Sequence, residues 1–460
     1  MSRFFPIVVL FLAGCVAPVQ YERPPVELPD TWKEIAPPYA ADGRWWRIYQ
    51  DADLEKVIDE ALLGNADLTV AVARVDEARG LLGEANSFLF PSLDAEAVVS
   101  RQQVSTRTAT SFPGIPREYS NHRAALVASW ELDLFGRLRA GTAAARAELE
   151  ATEAARDAVR LAVAAQVAKS YFALRSLDEQ VDLTRRTVRL REEALGLQRR
   201  RYAGGVISEF DLRQLEAETA AVRAQLPPLE RDREREEAAL SVLLGRTPKE
   251  VFGGTVRVRQ AFDEVPEAPA VPSGLPSELL LRRPDLVQAE RQLAAANARV
   301  AVARSEMFPR INLTAFLGSE SQALSNLFAG GAPATWQLAA GITQPIFAGG
   351  RLAARSDAAK ARERAALVQY EQAIRAAFGD IRTALVAQAR ARESYDAESA
   401  RAAALTETLR LARLRYQNGV ASQLDVLDAE RGLLAAQSAR IEALRAHRAA
   451  VADLFRALGG

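Results

Sequence analysis

The 460-residue chain has one cysteine, Cys15, so no disulfide can form within it. Its two histidines, His122 and His447, lie far apart without a partner at metal spacing, and methionine is nearly absent. Neither an imidazole site nor a thioether relay for soft metals has its ligands. Charge of one sign is missing too: Lys plus Arg and Asp plus Glu each number 59, which leaves no footprint for nucleic acid. No Gly-rich nucleotide loop occurs, and Asp133-Leu134-Phe135-Gly136 holds a kinase-like tripeptide only by broken spacing. Arg231 to Glu237 reads as a solvated helix face with i,i+4 pairing. No catalytic constellation and no cofactor are expected. After the N-terminus, no segment approaches the roughly 18 apolar residues of a transmembrane helix. A form that spans a membrane must therefore be a closed barrel.

The N-terminus explains the lone cysteine. Arg3 precedes a short apolar run, Phe4 to Ala13, that ends Leu12-Ala13-Gly14-Cys15, a pattern similar to the bacterial lipobox. Residues 1–14 are expected to be a signal peptide and Cys15 the lipidated first residue of the mature chain. Val16 stands where an Asp would resemble an inner-membrane retention signal, which favours the outer membrane. Residues 15–50 carry many prolines and read as an extended, lipid-anchored tether, with Trp45-Trp46 docking its end.

Proline is absent from Arg137 to Tyr202, a stretch of about 66 residues that as one helix would be near 100 Å long. Val181, Val188, Leu195 and Tyr202 form one heptad stripe, and Leu183, Leu190 and Leu197 another about 200° away. Alone, this helix fits either a long coiled coil or a stave with a neighbour on each flank. The rod occurs twice. Tyr202-Ala203-Gly204-Gly205-Val206-Ile207-Ser208 recurs as Tyr416-Gln417-Asn418-Gly419-Val420-Ala421-Ser422, and Ser87-Phe88-Leu89-Phe90-Pro91 as Ser305-Glu306-Met307-Phe308-Pro309. The chain is two copies of one unit of roughly 210 residues, 51–261 and 275–460. In each, a helix (67–89; 285–307) leads to a hairpin (about 91–135; 310–347), a rod (137–202; 350–416) and another helix (208–244; 422–458). Pro227-Pro228 must kink or break the first of those last helices. Between the repeats, 245–276 reads as a connecting loop with a short strand over 255–258.

In the hairpins the period becomes two. Leu93, Ala95, Ala97 and Val99 alternate with more polar residues, as do Leu126, Ala128, Trp130 and Leu132. Soluble half-buried hairpins share this alternation. Phe90, Phe135, Phe308 and Phe347, one at the helix end of every strand, favour an aromatic girdle at a membrane interface.

From Leu275 through Arg282-Arg283-Pro284-Asp285 to Phe308-Pro309, and again over Trp130 to Arg137 and Ile346 to Arg351, the sequence resembles the TolC-like outer-membrane factors, in particular the lipoprotein branch serving RND-type tripartite pumps. The resemblance implies an α+β membrane protein: a homotrimer whose four strands per chain close a 12-stranded barrel in the bacterial outer membrane, continuous with a periplasmic helical barrel. It implies a passive exit duct for drugs or toxic compounds, joined by a periplasmic adaptor to an inner-membrane RND transporter. A coiled-coil adaptor or scaffold is the alternative, against which the hairpins argue. The turns holding Gly204, Gly205, Val206, Gly419 and Val420 are expected to meet the adaptor. Leu424, Asp425, Asp428 and Arg431 match places where the family narrows its resting pore, whereas the first repeat has Phe210, Gln214 and Ala217 instead.

Overall fold

The structure, a computed structural model, describes residues 21–24, 43–105, 117–254, 256, 262, 283–329 and 334–460. Cys15, the signal segment, and the 255–258 strand except Val256 lie outside the described residues. Two compact units emerge. One gathers Arg74–Glu153 and Gln288–Glu371 with residues 21–24, and the other holds the remaining described residues.

In chain order the helices are α1 (Ala52–Gly64), α2 (Ala66–Ser87), α3 (Arg137–Ala203), α4 (Glu209–Arg223), α5 (Leu226–Leu243), α6 (Pro248–Gly253), α7 (Pro284–Ser305), α8 (Arg351–Gln417) and α9 (Gln423–Leu458). The strands are β1 (Ser92–Gln103), β2 (Glu118–Leu132), β3 (Arg310–Ser321) and β4 (Ala334–Thr343). The two rods, α3 and α8, are 67 residues each. Asp133 starts α3 by accepting the amides of Leu138 at 3.0 Å and Arg139 at 2.8 Å, which satisfies donors that a helix leaves free at its first turn.

The first unit contains the sheet, four antiparallel strands in the order β1-β2-β3-β4. The register is continuous across it: Asp94 lies opposite Val127, Val127 opposite Phe316 and Phe316 opposite Gln337. β2 and β3 pack so tightly at Gly318 that a Cβ there would fall 2.2 Å from the Ala124 carbonyl oxygen. Where the strands meet the helices, Phe135 stacks on Phe308 with centroids 5.2 Å apart, and Ser305 Oγ donates to the Phe135 carbonyl at 3.1 Å.

The second unit has the main apolar core. Trp45, Trp46 and Tyr49, in a 3-10 turn, are buried against Leu54, Ile58, Phe172 and Phe455, and Trp45 stacks on Phe455 at 5.4 Å. The folded body thus begins before residue 51, because an aromatic triplet gains more from burial than from solvation as part of a tether. Asp51 caps α1 and accepts a hydrogen bond from the Tyr171 hydroxyl at 2.8 Å. Burial raises the Tyr171 and Tyr49 hydroxyl pKa values. Arg283, from the Arg-Arg-Pro-Asp run, is buried and donates to the Ala457 carbonyl at 2.6 Å and to Asp285, tying the start of α7 to the end of α9. The break near Pro227-Pro228 falls at Ala224–Gln225, so the prolines sit in the first turn of α5, where their missing N–H costs nothing. The segment after Gly245 includes a helix, α6, which the glycines and prolines around it mask in the sequence.

Candidate functional site

The sheet has two chemically distinct faces. Successive side chains on a strand alternate, and the register brings Leu93, Val99, Leu126, Trp130, Leu317, Trp336, Leu338 and Ile342 onto one side. All of these are exposed within the chain, Trp336, Leu338 and Ile342 by more than 70%. Asp94, Glu96, Arg123, Glu131, Asn312, Thr314 and Gln337 share the other side. There Glu96 pairs with Arg123 at 3.0 Å, whose guanidinium also lies 5.3 Å from the centre of the Phe316 ring. A continuous exposed apolar face with a polar reverse is the pattern of a membrane barrel wall. Strands of 10 to 15 residues meet the length that a tilted bilayer crossing needs. No helix among the described residues is long and apolar enough to cross a membrane. Of the four girdle aromatics, Phe135 and Phe308 pair with each other, while Phe90 and Phe347 are exposed.

The two turns that end the rods are copies of each other in detail. Val206 N–H donates to the Arg201 carbonyl and Gly205 N–H to that of Tyr202; Val420 and Gly419 do the same to Arg415 and Tyr416. This is the Schellman closure, and it needs a left-handed residue after the helix. Gly205 and Gly419 supply it at φ +70° and +73°, whereas Gly204 has no such angle. Val206 and Val420 are left more than 60% exposed, as an apolar tip on each turn.

Beyond the second turn the four candidate residues separate. Leu424 is half exposed, and Asp428 pairs with Arg431 at 2.8 Å on the same outward helix face. Asp425 is turned away from them: its carboxylate accepts from the Ser422 amide at 2.7 Å and hydroxyl at 2.8 Å, completing a capping box. Those bonds hold its pKa below the ordinary carboxylate value. Asp425 is thus engaged in starting α9, as Asp211 is in starting α4. The signal was local, a Ser followed three residues later by an acid in both repeats.

Other polar residues near these turns had no local signal. Arg191 is buried on α3 and donates to the Glu218 carbonyl at 3.0 Å, with Glu430 at 4.0 Å. Gln198 contacts the Tyr416 hydroxyl at 3.5 Å and Gln423 at 3.4 Å. Both bind one repeat to the other across more than 200 residues of sequence. Among the described residues no group of three or more His, Cys, Asp or Glu is disposed to hold a metal.

A two-faced antiparallel sheet joined to two 67-residue helices fits a channel protein of the outer membrane. The sequence model described as outer membrane efflux protein matches residues 57–246 and 275–460, and the chain belongs to that family. It is 33% identical over 99% of its length to the toluene efflux pump outer membrane protein TtgC of Pseudomonas putida, 94% of which is covered. To the cation efflux system protein CusC of Escherichia coli K12 it is 32% identical, with 98% of each chain covered. The open-state outer membrane channel MtrE of Neisseria gonorrhoeae superposes with a TM-score of 0.83 at 36% identity, covering 96% of this chain and 97% of that one. The protein is an outer-membrane efflux channel.

Proposed function

We propose that three copies of this chain close a 12-stranded barrel, which its helices continue as a passive exit duct for small toxic molecules. An inner-membrane RND transporter drives the flow through a periplasmic adaptor. The observation that carries the reading is the sheet, apolar on one face, polar on the other and, among the described residues, unpaired at both edges. Four strands cannot close a barrel, and about eight would leave an interior filled by side chains. Three copies give a lumen lined by the polar face. The relatives are named for cargoes from toluene to cations, which suits a wide duct that does not coordinate its cargo. Residues 1–14 serve as signal peptide, and Cys15 carries the lipid. The turns at Gly204, Gly205, Val206, Gly419 and Val420 meet the adaptor, with Val206 and Val420 as its apolar contacts. Leu424, Asp428 and Arg431 form the periplasmic gate, in which adaptor docking releases Asp428 from Arg431 and its partners in neighbouring chains. Asp425 supports the gate by holding the start of α9.

Planar-bilayer recording tests the gate. The double variant Leu424→Ala, Asp428→Ala is expected to show higher single-channel conductance than the wild type while remaining trimeric. Unchanged conductance in an intact trimer would move the constriction elsewhere.

A further inference from the structure

Residues 21–24 lie on the first unit. Arg23 donates from Nε to one oxygen of Glu290 on α7 at 2.9 Å and from Nη2 to the other. Glu290 is 93% buried, although it lies 267 residues away in sequence. A carboxylate taken out of water is stable only when paired and hydrogen-bonded, and with the tail seated Arg23 supplies that pairing to Glu290. Tyr21 packs beside this pair against Ala147 of α3 and Ala294 and Ala295 of α7. Alanines leave the shallow surface that a ring can cover. Burial, reinforced by Glu290, pushes the Tyr21 hydroxyl pKa up to about 12.

The dock also has a definable level. Ala147 lies ten residues into α3 from Arg137, and Ala295 ten residues before the end of α7 at Ser305. Each count gives about 15 Å at 1.5 Å per residue. These two helix ends are the ones joined by the Ser305–Phe135 hydrogen bond and the Phe135–Phe308 stack. Two independent helices therefore place the dock about 15 Å from the same aromatic pair. Cys15 precedes Tyr21 by six residues, and six residues span at most about 20 Å.

We propose that Tyr21–Pro24 is a clasp that sets where the lipid anchor meets the body: with Arg23 seated on Glu290, the acylated Cys15 reaches the Phe135–Phe308 level of the membrane interface with only about one or two residues to spare. The partner surface is the lipid leaflet on the helix side of the sheet. This inference rests on the proposed lipidation and barrel. Because residues 15–21 are a leash of limited length, a shorter leash cannot satisfy the lipid and the clasp together.

Chymotrypsin cleavage after Tyr21 reads the clasp in the full-length protein, both in outer-membrane vesicles and in detergent. Wild type is expected to resist in both settings. Glu290→Ala and Arg23→Ala should each speed cleavage roughly tenfold or more, since local opening controls access. The charge exchange Arg23→Glu with Glu290→Arg should restore resistance, which a loss of folding would not permit. Deleting residues 17–19 cuts the reach to about 10 Å. That variant should be cleaved in vesicles and resist again in detergent, where the lipid no longer pulls. Equal cleavage of wild type and Glu290→Ala, or no recovery on charge exchange, overturns the clasp. A shortened tail that resists in vesicles, with its acyl chain confirmed by mass spectrometry, overturns the leash. An unmodified Cys15, or a failure to form channels, overturns the underlying reading instead.

Discussion

Asp425 and Asp428 stand three residues apart at one helix start and do different things. Asp425 is bound to Ser422, and Asp428 is presented outward with Arg431. Asp425→Asn is therefore expected to loosen the first turn of α9, seen as faster amide exchange at residues 423 to 426. Its pH response has a definite sign. The folded pKa is lowered by the Ser422 hydroxyl and amide, so the stabilisation is complete above the unfolded value of about 3.9 and is lost as pH falls through the folded one. Protection factors at this turn, from which the intrinsic pH dependence of exchange is removed, should fall only in that acidic range; a fall already at pH 6 would refute the assignment. At Gly419, φ +73° is a conformation that costs a residue with a Cβ about 1 kcal/mol or more. Gly419→Ala should destabilise the turn by about that amount in thermal melts. The turn glycine was legible in the sequence because turns are local, whereas Asp425, grouped there with the gate, proves to close the capping box of α9, although its Ser-x-x-Asp signal is local too. The Arg23–Glu290 clasp and the buried Arg191 were not legible, because their partners are remote in sequence and only packing brings them together.

At the level of elements, periodicity carried most of the information. A period of two, kept in step across four strands, placed the apolar residues on one face before any pairing was known, and the observed register agrees strand by strand. The rods were legible because no proline interrupts them. What periodicity could not show was the position of the break before α5, since a proline disrupts the turn preceding it and is welcome in the turn it begins. The faces of the sheet differ enough to predict opposite outcomes for neighbouring residues. Leu338→Arg puts a charge on the apolar side and should cost about 2–4 kcal/mol near the bilayer midplane. Gln337→Arg, one residue earlier on the polar side, should cost little. Urea unfolding in lipid vesicles compares them, and equal costs would mean that the apolar face does not meet lipid.

For the whole molecule, the decisive feature is the pair of edges. Among the described residues β1 and β4 have no further strand partner, and their backbone N–H and C=O groups would have no water to bond in a bilayer. Another copy must supply the missing ladder, joining β1 of one chain to β4 of the next, and such a head-to-tail contact repeats until the ring closes. The number of copies at closure follows from strand count: two copies make eight strands and a filled interior, three make twelve and a lumen. Engineered cysteines can count the copies. In a Cys15→Ser background no other thiol exists, so a cysteine at Ala97 on β1 combined with one at Trp336, Leu338 or Ala340 on β4 can react only with its counterpart. These residues share the apolar face, and β1 and β4 of one chain are separated by two strands, so a disulfide must join different chains. In at least one pairing, oxidation should produce a ladder of dimer and trimer that ends at three on a denaturing gel. A ladder ending at two, or continuing past three, would refute the 12-stranded barrel.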